Sequence, residues 1–181
     1  NGGLRLPPDG DLKNCAQMAL DRMTEARAGV DRGLKLARTR NLMLQDALLK
    51  LRQKDYTGAR GSLEVILKAN PEDLRALSAL ASSYAAQNQL PTALKRIREY
   101  AEQRPKSARL QMFLAQSLRD GGRDEEARAA FVAAKAADPK LLAADLELAQ
   151  MDGSEGKFDA ARKRIQPLAA TNVAAAIRVA R

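Results

Sequence analysis

The sequence predicts an all-α fold: a right-handed α-solenoid of about four 34-residue helix–turn–helix repeats with flanking helices. Alanine fills 35 of the 181 positions, and Leu, Arg, Lys, Glu and Gln are also abundant, which favours helices. Aromatic residues make up only 3% of the chain, and Val, Ile and Thr are too sparse for a β-sheet core. One short pattern returns every 34 residues, as KDYTGAR, NQLPTAL, GRDEEAR and GKFDAAR, and such a period indicates a repeated structural unit.

The first ten residues, NGGLRLPPDG, predict an irregular leader over 1–10. The chain begins with Asn and shows no signal-peptide pattern, so we expect it to be a piece of a longer protein. From residue 11, apolar residues recur at spacings of three and four, which predicts an N-terminal helix over 11–39. No proline or turn cluster separates this helix from residues 40–53, so we expect one long helix across the junction.

The N-terminal helix does not fit the repeat register, and two roles stay open for it. One is a cap over the open end of the repeat array. In that role it would also cover Leu44 and Leu48, two apolar residues of the first repeat. The other role is self-pairing, in which its near-heptad apolar stripe joins two copies as a homodimer through residues 11–39.

Three prolines set the period of the repeats, because Pro71, Pro105 and Pro139 are spaced at intervals of 34. Counting each proline as the thirty-second residue of a unit gives four units: 40–73, 74–107, 108–141 and 142–175. The eighth and twentieth positions of every unit are alanine, small enough for two antiparallel helices to cross about 8–10 Å apart. These alanines are Ala47, Ala81, Ala115 and Ala149 at the eighth position, and Ala59, Ala93, Ala127 and Ala161 at the twentieth.

A short polar turn joins the two helices of each unit. One column of this turn holds, in chain order, Lys54, Asn88, Gly122 and Gly156. Gly or Asn in such a column suits a left-handed C-cap. Asp124 and Asp159 fall near the start of the second helices, where a carboxylate meets the positive end of the helix dipole.

The period, the alanine and proline columns, Tyr84 and Phe131 together resemble the tetratricopeptide repeat (TPR) family over residues 40–175. RNA-reading pentatricopeptide repeats are the alternative, but the strict interval of 34 and the Ala and Pro columns favour TPR. The family's fourth-position Trp is absent and is replaced by Met43, Leu77, Gln111 and Asp145.

The fourth unit departs furthest from the family pattern. It has Asp152 where Tyr is usual and Val173 where Pro is usual. Pro167 falls inside its second helix, which it should kink or end. After this unit, residues 176–181 predict the start of a capping or truncated helix.

The composition argues against catalysis. The chain has no His, which removes the commonest general base and transition-metal ligand. Its single cysteine, Cys15, lies on an apolar helical stripe and is expected in the core. Asp120 and Asp124 fall in a turn and a helix start, where capping is the expected role. We therefore predict no enzyme activity and no catalytic, cofactor or metal site.

The TPR family usually binds partners on its concave face, which is built from the first helix of each repeat. The resemblance implies a non-catalytic scaffold or adaptor that holds an extended or helical segment of a protein or peptide partner there. Arg75, Arg109 and Arg119 would act as forks for a carboxylate, above an apolar floor of Met112 and Phe113. The other predicted groove residues are Asn41, Gln45, Arg52, Ser78, Gln116 and Gln150.

Two further function classes stay open: the regulatory arm of a larger enzyme whose catalytic domain lies outside these residues, and a self-assembly module. The basic residues Lys95, Arg96 and Arg98 have little aromatic interleaving, so nucleic-acid binding is not expected. No apolar run approaches the roughly 20 residues of a membrane span. The Ala- and Arg-rich usage suggests a bacterial source, and the compartment stays open between the cell envelope or periplasm and the cytoplasm.

Overall fold

The computed structural model describes the backbone of residues 9–169 and the side chains of residues 20–167. Within that range the chain forms α-helices joined by short turns, and no strand is present. The helices are α1 (Asp9–Leu36), α2 (Arg40–Arg52), α3 (Tyr56–Ala69), α4 (Leu74–Ala85), α5 (Leu90–Gln103), α6 (Ala108–Asp120), α7 (Asp124–Ala137), α8 (Leu142–Ser154) and α9 (Phe158–Ala169). The all-α helical-repeat class that the sequence predicts is therefore confirmed. The chain divides into two compact units, Asn1–Asn70 and Pro71–Arg181.

The first unit contains α1, α2 and α3. Ala47 on α2 and Ala59 on α3 are both fully buried, as expected for small side chains where two helices cross. Leu63 and Leu67 of α3 are also fully buried, so α2 and α3 pack around a shared apolar core.

The junction between α1 and α2 corrects one prediction. The two helices are separate, because α1 ends at Leu36 and α2 begins at Arg40. Thr39 has an extended backbone (φ −75°, ψ 152°), and its side chain accepts a hydrogen bond from the Leu42 amide at 3.4 Å. An N-cap threonine starts a new helix without any Pro or Gly, which is why the expected single long helix was wrong. The start of α1 at Asp9 also places two residues of the predicted leader in the helix.

The second unit contains three successive helix pairs, α4 with α5, α6 with α7, and α8 with α9. The alanines at the predicted crossing positions are buried at four sites and half-buried at Ala81 and Ala161. Large apolar side chains of this unit fill its core, namely Leu77, Leu80, Ile97, Leu110, Leu118, Phe131 and Leu148.

The turn inside each helix pair has the same geometry, and it confirms the predicted left-handed column. Positive φ angles occur at Lys54 (62°), Asn88 (58°), Gly122 (71°) and Gly156 (75°). In each turn the next residue's amide donates to the carbonyl five residues before it, as in Asp55 to Lys50 at 2.9 Å. The left-handed residue itself donates three residues back, as in Lys54 to Leu51 at 3.0 Å. This pair of hydrogen bonds defines a Schellman motif, which satisfies carbonyls at the helix end.

Two expectations about helix ends need correction. No side-chain cap precedes α7: its N-cap position is Arg123, and Asp124 lies in the first turn, where it meets the helix dipole without capping. Asp120 is the last residue of α6 and does not cap a helix start. In α9, Pro167 lies inside the helix, which runs on to Ala169. The predicted helix at 176–181 lies outside the described residues.

Candidate functional site

The predicted groove residues of the second unit lie on the outer faces of its first helices. Arg75 and Ser78 of α4 and Gln150 of α8 are exposed. Each of these residues lies 34 positions from a predicted groove residue of α6, so the same repeat positions recur on successive first helices. Within one helix, groove residues spaced three or four apart lie on the same face. On α6, Arg109 and Gln116 are exposed and Met112 and Phe113 are half-buried.

The stripe of α6 combines charge with apolar surface. Met112 and Phe113 lie one helical turn after Arg109 and expose part of their side chains. Among residues 20–167, neither Arg75 nor Arg109 has an ion-pair or hydrogen-bond partner for its guanidinium. These two cations are therefore available to an acidic ligand.

Arg119 differs from Arg75 and Arg109, the other two arginines predicted to bind a carboxylate. Its Nη1 makes an ion pair with Glu147 Oε2, which joins α6 to α8. Glu147 occupies the same repeat position as Phe113, so the pair crosses between neighbouring repeats of the second unit. The guanidinium of Arg119 is thus already engaged, which makes Arg119 a weaker candidate for ligand binding than Arg75 or Arg109.

The predicted groove residues of the first unit, Asn41, Gln45 and Arg52, are exposed on α2. Asn41 Oδ1 accepts a hydrogen bond from Arg40 at 2.9 Å. Leu44 is buried, whereas Leu48 keeps 40% of its surface exposed. Between α1 and α2 lies a pocket of about 360 Å³, lined by Ala26, Gly29, Val30, Leu42, Gln45, Leu48, Leu49 and Arg52.

A buried carboxylate that the sequence analysis missed holds the first unit together. Asp46 of α2 is only 4% exposed, and its Oδ1 lies 2.7 Å from Arg27 Nη1 of α1. Its Oδ2 accepts hydrogen bonds from Lys50 Nζ at 2.7 Å and from the Ser62 hydroxyl of α3 at 2.6 Å. Burial alone would raise the pKa of Asp46, but the hydrogen bonds from Lys50 and Ser62 and the ion pair with Arg27 outweigh it and hold the pKa below its usual value.

Asp152 forms a similar centre in the second unit. It is 3% exposed on α8, where it accepts from Arg128 Nη1 of α7 at 2.6 Å and from Arg164 Nε of α9 at 2.7 Å. Burial opposes ionisation, yet the two arginines hold the pKa of Asp152 below its usual value. The departure from the family's Tyr at this position thus has a structural explanation. In the sequence, this departure was the only indication of the buried carboxylate.

Both arginines of α5 form ion pairs with glutamates. Arg96 Nη1 lies 2.5 Å from Glu99 Oε2, and its guanidinium stands 5.6 Å from the centre of the Tyr100 ring. Arg98 pairs with Glu126 of α7, and this contact is the main reason that the pKa of Glu126 is lowered. The two arginines of this helix are therefore compensated, whereas Lys95 is exposed and has no ion-pair or hydrogen-bond partner among residues 20–167.

Two further kinds of feature, a metal-binding cluster and a membrane-spanning helix, are not found in the part of the chain that the structure describes. Within residues 20–167 no group of three His, Cys, Asp or Glu side chains could hold a metal ion. None of the helices between Asp9 and Ala169 is both long and apolar enough to span a membrane.

Comparisons with known proteins agree with this architecture. Residues 50–117 match the family model described as tetratricopeptide repeat. A comparison with curated proteins finds no match.

Several solved structures share the fold. The thermophilic TPR protein TTC0263 of Thermus thermophilus is 19% identical, with 92% of this chain and 93% of that chain covered and a TM-score of 0.55. MamA residues 41 to the end, from Desulfovibrio magneticus RS-1, is 18% identical, covering 86% of this chain and 89% of that one, with a TM-score of 0.55. YrrB, described as a TPR protein with an unusual peptide-binding site, is 17% identical, covering 82% and 77%, with a TM-score of 0.51. The family model thus identifies tetratricopeptide repeat sequence over residues 50–117, and the solved structures show that the chain shares its helical-repeat fold with TPR proteins.

Proposed function

We propose that the protein is a non-catalytic interaction scaffold that binds an extended or helical segment of a protein partner. In the second unit the segment lies across the outer faces of the first helices. The observation that carries the proposal is the pair Arg75 and Arg109, which occupy the same repeat position on α4 and α6. Both are exposed, and neither guanidinium has a partner among residues 20–167.

The chemistry of this face defines the partner. A guanidinium binds a carboxylate through two parallel hydrogen bonds, so the segment carries acidic residues. Met112 and Phe113 offer partly exposed apolar surface beside Arg109, so the same segment presents an apolar side chain there. The shared fold with YrrB, whose description names a peptide-binding site, supports a peptide ligand.

The test is affinity capture with a charge-reversed variant. The full chain is immobilised, a lysate of its source organism is passed over it, and the retained proteins are identified by mass spectrometry. We expect a partner retained by the parent protein and lost by Arg75→Glu/Arg109→Glu. Arg119 is left unchanged, because its replacement would break the ion pair with Glu147.

A control with the same charge change separates a specific face from general electrostatics. Lys95→Glu/Arg162→Glu reverses two exposed cations on the second helices α5 and α9 of the same unit. This variant should keep the partner. Equal loss from both variants would contradict a binding face on the first helices, and so would retention by both.

A further inference from the structure

The segment that connects α1 to α2 has the properties of a protease cleavage site. We propose that the Arg38–Thr39 bond is a processing site for a trypsin-like endoprotease, and that its hydrolysis releases α1 from α2. Water adds a hydroxyl to the Arg38 carbonyl carbon and a hydrogen to the Thr39 nitrogen as the bond between them breaks. The proposal is independent of the proposed binding face, because it concerns a covalent change within the first unit.

A continuous run of residues around this bond is exposed to solvent. Every residue from 35 to 41 is exposed, and Leu36 keeps 88% of its surface accessible. Residues 37–39 lie between the two helices and belong to neither. An endoprotease must enclose residues on both sides of the bond that it cuts, so an exposed stretch outside the helices is the favoured place for cleavage.

The peptide group at this bond makes no hydrogen bond within the described part of the chain. Among residues 20–167, neither the Arg38 carbonyl nor the Thr39 amide has a partner, since Thr39 contributes only its side chain and its own carbonyl to the start of α2. Thr39 is also extended, with φ −75° and ψ 152°. A protease holds its substrate as an extended strand through main-chain hydrogen bonds, so this peptide group is ready to be bound.

The turns between α2 and α9 lack this feature. In each of them the peptide group that follows a lysine or arginine has its amide or its carbonyl hydrogen-bonded, or contains a proline nitrogen. The amide is bonded after Lys54 (2.9 Å), Lys106 (2.9 Å) and Lys140 (3.0 Å), and the carbonyl is bonded at Arg123 (2.8 Å) and Lys157 (3.0 Å). Arg104 precedes Pro105, which has no amide hydrogen. The hydrogen-bonded groups can be cut only after local opening of the turn, which lowers the rate of cleavage.

The Arg38 side chain is available to the specificity pocket of a protease. It is exposed, and it has no hydrogen-bond or ion-pair partner among residues 20–167. A trypsin-like enzyme selects its substrate by pairing this guanidinium with a carboxylate inside a pocket. Arg40 is a poorer candidate, because it lies in the first turn of α2 and donates to Asn41 Oδ1 at 2.9 Å.

Few side-chain contacts hold α1 in place once this connection is cut. Val30 is the only buried side chain among the described residues of α1, and Arg27 supplies an ion pair to Asp46. A short covalent connection keeps two contacting segments at a high effective concentration, and hydrolysis removes this advantage. Asp46 retains Lys50 and the Ser62 hydroxyl when α1 leaves, so α2 and α3 stay joined.

The first experiment is limited digestion of the full chain with trypsin under native conditions, followed by intact-mass spectrometry. Among the bonds of residues 20–167, we expect cleavage after Arg38 to come first, about tenfold or more faster than cleavage in any turn between α2 and α9. Size-exclusion chromatography of the digested and inhibited sample should then separate the fragment that ends at Arg38 from the fragment that begins at Thr39.

A paired substitution separates backbone conformation from side-chain identity. Arg38→Lys/Lys54→Arg exchanges two basic side chains, both of which are exposed. Trypsin accepts either residue, so the bond after residue 38 should still be cut first and the bond after residue 54 should stay resistant. Arg38→Gln removes the site and should slow cleavage within residues 20–167 by about tenfold. Lys106→Gln, a matched change in the turn between α5 and α6, should leave that rate unchanged.

The proposal is overturned if the first cut within residues 20–167 falls at a bond other than Arg38–Thr39, or if the two fragments stay together after that cut. Cleavage of the exchanged variant first after residue 54 would also overturn it, because side-chain identity would then decide the site. None of these results bears on the capture experiment, which depends on Arg75 and Arg109 of the second unit. Failure of arginine-dependent capture would likewise leave the processing site standing.

Discussion

Lys54 adopts a left-handed backbone conformation in its turn, which is energetically unfavourable for a residue with a β-carbon. Its φ of 62° lies in the left-handed region, where the other helix pairs place Asn88, Gly122 and Gly156. A residue with a β-carbon is destabilised there by roughly 1 kcal/mol or more, because the β-carbon approaches the following carbonyl oxygen. The two backbone hydrogen bonds of the Schellman turn therefore impose the conformation on Lys54.

Because of this cost, substitutions at two equivalent turn positions should change the free energy of unfolding in opposite directions. Lys54→Gly should raise the free energy of unfolding by about 1 kcal/mol, because glycine adopts a left-handed conformation without strain. Gly122→Ala should lower it by a similar amount, and by backbone strain alone, because a β-carbon there meets nothing within 4 Å. Urea denaturation followed by circular dichroism measures both changes. Two shifts of the same sign would show that the turns are not governed by this conformational cost.

The turns and the helix junction show what the sequence could predict about the fold. The left-handed column was predictable because Gly and Asn express a local backbone preference. The break before α2 was missed because a single threonine, Thr39, makes it, and threonine is common in other settings. The exposure of Arg75 and Arg109 followed from the repeat register, whereas the Arg119–Glu147 pair did not. Its partners are 28 residues apart, and many Arg and Glu pairs in this chain have comparable spacings.

At the scale of helices, one buried carboxylate in each unit ties three elements together. Asp46 joins α2 to α1 through Arg27 and to α3 through Ser62. Asp152 joins α8 to both α7 and α9 through two arginines. A buried carboxylate without its partners would be strongly unfavourable, so these contacts fix how the helices of each unit pack.

These two carboxylates predict how stability depends on pH. The pKa values of Asp46 and Asp152 are lower in the folded protein than the value of about 3.9 in an unfolded chain. Their contribution is therefore complete above about pH 5 and is lost as the pH falls through and below about 4. Urea denaturation at a series of pH values should show stability constant from about pH 7 to 5 and falling below that range.

Substitution of one of these carboxylates, Asp152, tests whether it contributes to that pH dependence. Asp152→Asn should cost about 2 kcal/mol at neutral pH, because it leaves two arginines without their buried partner charge. The loss of stability in acid should also be smaller in this variant. Asp159→Asn, which changes an exposed carboxylate in the first turn of α9, should keep the parent's acid dependence. An unchanged acid dependence in Asp152→Asn would show that other groups control the acid transition.

At the scale of the whole molecule, the distribution of ion pairs matters more than the net charge. The chain carries 31 basic and 22 acidic residues, a net charge of +9. Many of its arginines are engaged within their own unit, as Arg98 is with Glu126 and Arg128 is with Asp152 and Glu155. The predicted groove positions Arg52, Arg75 and Arg109 have no such partner among residues 20–167. The uncompensated charge therefore includes the positions where the repeat pattern predicts a ligand.

That distribution predicts how partner binding depends on salt. Raising NaCl from about 0.1 M to about 1 M shortens the screening length from about 10 Å to about 3 Å, which weakens contacts between exposed charges. We therefore expect partner capture by the parent protein to fall steeply over this range, as measured by the amount retained in parallel salt washes. Any binding left in Arg75→Glu/Arg109→Glu should show a much weaker salt dependence, because the cations that attract the acidic segment are gone. A partner held equally well at both salt concentrations would indicate an apolar interface centred on side chains such as Met112 and Phe113, with no essential carboxylate contact.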